Sequence, residues 1–127
     1  AEHYSGNHKD APKLDEATIA QVQKLERWMA GTHESRYFAM SLFDLLAHSQ
    51  APPYNFDGQT GLSVQDLFSQ VLEKYTRMKQ LPGTHFCASW YHLVIGYDAG
   101  FYGYGWSDVY AADVFETMRQ SPEGMLS

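Results

Sequence analysis

Aromatic and glycine residues are concentrated in one segment of thirty residues in the second half of this chain. Residues 86–115 hold ten of the 19 aromatic residues and four of the ten glycines. The same segment contains three aspartates but no lysine or arginine. A small independent domain usually spreads its large apolar side chains over its whole core. We therefore expect a structure larger than this chain to enclose the segment.

The overall composition is typical of a globular, acidic protein. The acidic charge limits the classes of partner that the chain is expected to bind. A length of 127 residues fits one domain, with 44% hydrophobic and 19% charged residues. The net charge of −6 argues against a nucleic-acid groove or an anionic membrane surface as a partner. No apolar run approaches the roughly 18 residues that span a bilayer, and no signal peptide is visible. Cys87 is the single cysteine, which favours a reducing, cytoplasmic location.

Hydrophobic periodicity predicts four helices, and the lack of strand-like alternation makes the predicted fold class all-α. Pro12 suits the start of the first helix and Gly31 its end. The second helix has little polar sequence and is expected to be mostly buried. The fourth carries three glycines in its first two turns, which weaken its start. The predicted helices cover residues 12–29, 34–49, 64–79 and 98–119.

The third predicted helix has the clearest start. Ser63 and Asp66 have the spacing of a capping box, and Leu62 and Leu67 stand at the staple positions around it. The residues predicted to face inward are Val64, Leu67, Phe68, Val71, Leu72 and Tyr75.

Turn-forming residues separate the predicted helices. Residues 1–11 and 50–62 are rich in such residues and are predicted to be loops. Residues 85–95 fit either a short buried helix or an irregular stretch, which Gly96 ends.

A search for metal-binding motifs finds no complete set of ligands. His33 is followed by glutamate but lacks the second histidine of a His-Glu-x-x-His zinc helix. His3 and His8 lie in a polar segment, where metal binding is the disfavoured alternative. Asp44 and His48 are four residues apart on the second helix. We interpret them as a side-chain pair near the C-terminal end of a helix rather than as a metal site.

Two further motifs carry little chemistry. Cys87 could act as a nucleophile beside a histidine, but nothing marks it as activated, and a buried structural thiol is the preferred interpretation. The glycines of residues 96–105 lack the preceding strand and the Lys-Ser/Thr pair of a phosphate-binding loop.

His92, Tyr97 and Tyr104 are the remaining candidates for chemistry. The two tyrosines are seven residues apart, which corresponds to two turns on one helical face. A histidine and two phenols can donate hydrogen bonds to a developing oxyanion. The alternative is an aromatic stripe that packs in a core, with each hydroxyl paired, and physical reasoning alone favours that alternative.

The sequence HLVIGYDAGFYGYGWSDV at residues 92–109 resembles a signature of the thimet oligopeptidase family. This family comprises the M3 zinc metallopeptidases, including neurolysin, oligopeptidase A and bacterial dipeptidyl carboxypeptidase, and the signature lies near their C-terminal end. The similarity extends to residues 112–115, is moderate near residues 38–48, which include Asp44 and His48, and is weakest at residues 3–6, all in the same order along the chain.

The resemblance implies a role for each residue that matches the signature. His92 and Tyr104 are expected to be catalytic, as hydrogen-bond donors to the transition state. Tyr97 is expected to donate to the substrate backbone, and Gly96 to allow the loop to approach the peptide closely. Phe101 departs from the family, which usually has tyrosine there, and Ile95 replaces a second glycine found in many members.

The resemblance also implies that the zinc site lies elsewhere. In the family, a His-Glu-x-x-His helix and a later glutamate bind zinc, all upstream of the matched region. We therefore expect residues 1–127 to be one segment of a larger, mostly helical catalytic domain, truncated at both ends. Zinc is expected in the intact parent enzyme, and none is expected to be bound by this chain.

The resemblance therefore implies that this chain is the C-terminal portion of a zinc metalloendopeptidase that hydrolyses short peptides. The isolated chain is expected to be inactive. Its expected partners are peptide substrates and the remainder of the catalytic domain, with self-association of the isolated chain as another outcome. No nucleic acid or membrane partner is expected, and the location is cytoplasmic or mitochondrial. The alternatives are a self-contained helical module that binds a peptide or protein, and a small enzyme that uses Cys87.

Overall fold

The computed structural model describes residues 14–121. The chain divides into two compact units, Ala1–Glu34 and Ser35–Ser127. Three sequence predictions lie outside the described residues: the loop over residues 1–11, the helix start at Pro12, and the interpretation of His3 and His8.

The first unit contains helix α1, Glu16–Arg27. The Asp15 carboxylate caps its start by accepting a hydrogen bond from the Thr18 backbone N–H at 2.7 Å. This bond holds the pKa of Asp15 below its ordinary value. The prediction that Gly31 ends this helix is wrong, because the chain turns earlier, at Met29, whose φ of 70° is left-handed. Gly31 lies inside the next helix instead.

Helix α2, Ala30–Ser49, is the longest element among the described residues. It starts four residues before the predicted position. Its buried residues lie in the second half of the helix and are Ala39, Met40, Ser41, Phe43 and Asp44. The prediction of a mostly buried helix holds for this stretch but is wrong for Phe38 and Leu45, which are exposed.

A small hairpin corrects the prediction that residues 50–62 form only a loop. Strands β1, Tyr54–Phe56, and β2, Gln59–Leu62, pair antiparallel, with Tyr54 opposite Leu62 and Phe56 opposite Gln59. Asp57 and Gly58 form the turn with φ values of 53° and 81°. An Asp-Gly pair favours this turn geometry, so the signal was present although the strands are too short to show alternation.

Helix α3, Val64–Thr76, begins as predicted. Ser63 accepts a hydrogen bond from the Asp66 N–H at 3.1 Å, and the Asp66 carboxylate accepts one from the Ser63 N–H at 3.3 Å. This reciprocal pair confirms the capping box. The helix ends before the predicted residue 79, because Arg77 adopts a left-handed conformation.

The core of the second unit lies between α2 and α3. Leu67, Phe68, Val71 and Leu72 of α3 are buried as predicted, whereas Val64 and Tyr75 are exposed, contrary to the prediction. The Phe43 ring of α2 meets the Phe68 ring edge-on with centroids 5.0 Å apart. Burial of such aromatic pairs is a main source of stability in a small core.

The ambiguous stretch before Gly96 contains a short helix, but none of the residues in this helix is fully buried, so the predicted short buried helix is only partly correct. Helix α4, Phe86–Ser89, is one turn long, and a 3₁₀ turn follows over Tyr91–Leu93. The Trp90 side chain between them is buried in the core described above. The ring of Phe86 stacks on Phe68 at 5.3 Å. These contacts fix the start of the segment that carries the candidate site.

Helix α5, Gly103–Gln120, starts five residues after the predicted position. Residues 94–102 form turns, and we call them the tyrosine loop. The apolar face predicted for α5 is present but exposed, through Trp106, Val109, Tyr110, Val114 and Met118. The mostly helical fold class is therefore confirmed, with the hairpin as its exception.

Candidate active site

His92 and Tyr104, two of the predicted site residues, lie side by side. His92 belongs to the 3₁₀ turn and Tyr104 to the first turn of α5. The Nε2 atom of His92 is 3.4 Å from the Tyr104 hydroxyl. Their rings meet edge-on, with centroids 6.0 Å apart. This distance is at the long end of hydrogen-bond geometry.

Tyr97 completes the cluster, but not through helical periodicity. Its ring stacks on Tyr104 with centroids 5.5 Å apart and meets the edge of His92 at 5.9 Å. Tyr97 lies in the tyrosine loop and not in α5, so the predicted shared helical face is wrong. The turn of the loop produces the contact instead. Tyr97 and Tyr104 remain 38% and 42% exposed, so a ligand can reach both phenols.

The glycines around the cluster are required at their positions for different physical reasons. Gly96 has a φ of 82°, and a Cβ there would meet nothing within 4 Å, so its requirement is conformational. A Cβ on Gly100 would lie 2.9 Å from the Tyr97 carbonyl oxygen, and one on Gly105 would lie 3.1 Å from the Tyr37 ring. The last two glycines therefore permit close packing inside the chain.

Phe101, which departs from the family signature, serves as a packing residue. Its ring meets Trp90 edge-on at 4.7 Å and lies 5.2 Å from His92 and 5.4 Å from Tyr104. The missing hydroxyl removes a polar group from the middle of this aromatic cluster. Phe101 thus links the candidate site to the core of the second unit.

Asp44 contacts the tyrosine loop, which sequence reasoning missed. This carboxylate is only 1% exposed. It accepts hydrogen bonds from the backbone N–H groups of Ala99, at 3.2 Å, and Phe101, at 3.1 Å. The similarity of Asp44 and His48 to a family segment was a signal that these residues matter, but it did not indicate the loop as their partner.

His48 forms the predicted pair with Asp44 and a further contact. Its Nδ1 lies 3.0 Å from the Asp44 carboxylate and 2.8 Å from the Asp44 carbonyl oxygen. Its Nε2 lies 3.2 Å from the Leu93 carbonyl oxygen. Burial lowers the pKa of His48, but the bonds to both carbonyls and the charges of Asp44 and Asp98 outweigh it, so the pKa is raised.

Tyr37 forms a second connection between α2 and the segment that carries the site. Its hydroxyl lies 3.0 Å from the Phe101 carbonyl and 2.8 Å from the Tyr102 carbonyl, and it accepts a bond from the Gly105 N–H at 2.6 Å. Sequence reasoning assigned Tyr37 to a buried helix without a role. The hydroxyl therefore joins the end of the tyrosine loop to the start of α5.

The electrostatics around Tyr104 favour its neutral, protonated phenol. Burial, followed by the proximity of Tyr97, raises the pKa of Tyr104. A raised pKa keeps this hydroxyl protonated at neutral pH and thus able to donate a hydrogen bond.

Cys87 does not fit the role of a nucleophile. Its thiol donates to Oε1 of Gln65 at 2.8 Å, and burial raises its pKa. Nucleophilic cysteines need a lowered pKa. The observed environment therefore fits the structural thiol that the sequence favoured.

Neither a metal site nor a membrane span is found in residues 14–121. No group of three or more His, Cys, Asp or Glu side chains there could hold a metal ion. Within the same range no helix combines the length and apolar character needed to cross a bilayer.

Comparison with known proteins matches almost the entire chain. The family model described as peptidase family M3 matches residues 1–125. Oligopeptidase A of Haemophilus influenzae is 23% identical over 97% of this chain, thimet-like oligopeptidase of Dictyostelium discoideum is 28% identical over 88%, and organellar oligopeptidase A of Arabidopsis thaliana is 26% identical over 95%. The chain spans 17%, 16% and 14% of these relatives, respectively.

Proposed function

This chain belongs to peptidase family M3, and from that membership we propose that it is the C-terminal portion of a zinc-dependent oligopeptidase that hydrolyses short peptides. In this proposal the chain supplies a wall that binds the substrate and stabilises an oxyanion. The observation that carries it is the cluster of His92, Tyr97 and Tyr104, with His92 Nε2 3.4 Å from the Tyr104 hydroxyl.

The surroundings of His92 indicate which ring nitrogen carries its proton. Nδ1 of His92 is buried and has no hydrogen-bond partner among the described residues. A proton there would leave an unsatisfied buried N–H, which is costly, so we assign the proton to Nε2. Nε2–H then points to the Tyr104 oxygen. The phenol proton of Tyr104 stays available for a substrate.

The chemistry of peptide hydrolysis gives these two donors a use. Attack of water on an amide carbonyl places a negative charge on the carbonyl oxygen, and preorganised donors stabilise it. Tyr104 O–H and His92 Nε2–H are the donors in this proposal, in which the oxyanion replaces the Tyr104 oxygen as the partner of Nε2–H. Tyr97, stacked against Tyr104, binds the substrate backbone, and Gly96 positions Tyr97 through its left-handed φ.

Zinc belongs to another part of the protein in this proposal. Members of the M3 family generally depend on zinc, but the described residues of this chain do not form a metal site. They therefore do not fit the ion. We expect the isolated chain to bind no stoichiometric zinc and to cleave no peptide. Tight binding of one zinc ion per chain, measured by metal analysis, would contradict the proposal.

The partner of the exposed face of α5 is the remainder of the catalytic domain. Its five large apolar residues are at least 47% exposed, and the chain spans only about a sixth of the length of its relatives.

An intracellular location, in the cytosol or an organelle, is part of the same proposal. The single cysteine and the organellar relative support it.

Replacement of Tyr104 in the whole protein tests the function. Tyr104→Phe removes one hydroxyl and is expected to lower kcat by roughly 10²–10³, by analogy with the loss of one oxyanion donor. The melting temperature should be nearly unchanged. Tyr102→Phe is the matched control, because Tyr102 lies beside the cluster and exposes its side chain, and it should keep near-normal turnover. An unchanged kcat in Tyr104→Phe would overturn the role.

A further inference from the structure

Asp44 and His48 contact the tyrosine loop at both of its ends. The Asp44 carboxylate receives the N–H groups of Ala99 and Phe101 at its C-terminal end. His48 Nε2 reaches the carbonyl oxygen of Leu93, the residue before the loop. The two side chains also contact each other, at 3.0 Å. One pair on α2 therefore spans the loop that carries Tyr97.

The loop conformation needs such support. Ala99 has a φ of 57°, in the left-handed region that a residue with a Cβ disfavours. Strained conformations of this kind persist when the surrounding structure holds them in place. The hydrogen bond from the Ala99 N–H to a buried carboxylate supplies that constraint.

The partners of His48 select its charged form. Both ring nitrogens face oxygen atoms that can only accept: the carboxylate and carbonyl of Asp44 on one side and the Leu93 carbonyl on the other. A neutral imidazole has a single N–H and would leave one nitrogen against an acceptor, whereas an imidazolium donates on both sides. Asp98 in the loop adds a second negative charge that favours the cation.

We propose that Asp44 and protonated His48 are positioning residues that hold the tyrosine loop in the conformation that places Tyr97 against Tyr104. Tyr37 supports the same region through its bonds to residues 101, 102 and 105. The consequence of this clamp for peptide hydrolysis rests on the proposed function, whereas its effect on the loop does not.

The pH dependence has a definite sign. The pKa of His48 in the folded chain is raised above its ordinary value near 6.5. The clamp is therefore complete below about pH 6.5 and weakens as the pH rises through the folded-state pKa. The charged groups facing His48 are Asp44 on its own helix and Asp98 in the loop.

Amide hydrogen exchange on the full 127-residue chain tests the clamp. In Asp44→Asn the protection of the Ala99 and Phe101 amides should fall about tenfold, because the amide group keeps one acceptor oxygen and loses the charge. The Val71 amide in α3 should keep its protection. Asp57→Asn, which removes a carboxylate from the hairpin, is the matched control and should leave the loop amides unchanged.

His48→Gln removes the titrating imidazole and leaves the Asp44 carboxylate in place. Because His48 is exposed, this variant should disturb folding less than Asp44→Asn. In the unsubstituted chain, loop protection relative to intrinsic exchange should be constant below about pH 6.5 and should fall as the pH rises through the raised pKa of His48. In His48→Gln it should be low and independent of pH. Unchanged loop protection in Asp44→Asn, or an equal loss at Val71 and Ala99 in both variants, would overturn the proposal.

Kinetics in the whole protein separate this proposal from the proposed function. Asp44→Asn and His48→Gln should both lower kcat, and His48→Gln should remove the decline of kcat at rising pH that belongs to the clamp. If the whole protein cleaves no peptide, the proposed function fails, while the exchange result still decides whether the clamp holds the loop. Loop protection that follows the predicted pattern with no change in kcat would overturn the role in positioning.

Discussion

Two glycines in the first turn of α5 differ in the space around them. A Cβ on Gly103 would lie 3.9 Å from the Tyr97 hydroxyl, an ordinary contact, whereas a Cβ on Gly105 would lie 3.1 Å from the Tyr37 ring and 3.2 Å from its hydroxyl. Tyr37 is held by its bonds to two carbonyls, so it cannot withdraw freely. The same substitution should therefore have opposite consequences at the two positions.

The expected result follows from two opposing effects: alanine has a higher helix propensity than glycine, and its methyl group can crowd a neighbouring side chain. Alanine is favoured over glycine inside a helix by about 1 kcal/mol. Gly103→Ala should raise the free energy of unfolding by up to about that amount, and Gly105→Ala should show no gain or a loss because its methyl group presses on Tyr37. Urea titration of both variants measures the difference. Equal stabilisation by both would contradict the packing described for Gly105.

At the residue scale, the sequence indicated the candidate cluster better than its support. His92, Tyr97 and Tyr104 were the remaining candidates for chemistry, the resemblance gave them roles, and the structure brings them together. The bonds of Asp44 and Tyr37 to the loop connect residues 55 to 65 positions apart. Periodicity describes the faces of single helices and carries no information about such distant partners.

At the element scale, the capping box of α3 predicts how much the Ser63 side chain contributes to the free energy of unfolding. Ser63→Ala removes the oxygen that accepts from the Asp66 N–H, and loss of an N-cap costs about 1 kcal/mol. The free energy of unfolding should fall by about that amount. Ser107→Ala is the control, since its hydroxyl bonds a carbonyl within its own helix, and it should be neutral or slightly stabilising. A loss of stability equal in both variants would contradict the cap.

Element types could be predicted from the sequence, but several boundaries could not. The four long helices follow from apolar spacing, and α3 also from its cap. The ends of α1 and α3 are set by left-handed φ values at Met29 and Arg77, residue types that do not favour that conformation. The hairpin escaped prediction because its strands contain three and four residues, too few to show alternation.

At the scale of the whole molecule, the exposed face of α5 is the feature least compatible with an independent domain. Large contiguous apolar surfaces on soluble proteins usually mark an interface. In the whole protein we propose that the remainder of the catalytic domain covers this face. In the isolated chain a second copy offers the same kind of surface, and self-association is the expected substitute.

Sedimentation velocity tests whether the isolated chain self-associates through the exposed face of α5. The unsubstituted chain should associate as its concentration rises, and Val109→Asp should weaken the association about tenfold, or by 1.4 kcal/mol. Val109 is 59% exposed, so the change should not disturb the fold. Thr60→Asp adds the same charge to the exposed hairpin and should leave association unchanged. A chain that stays monomeric at all concentrations, or equal weakening by both variants, would show that α5 is not the associating face.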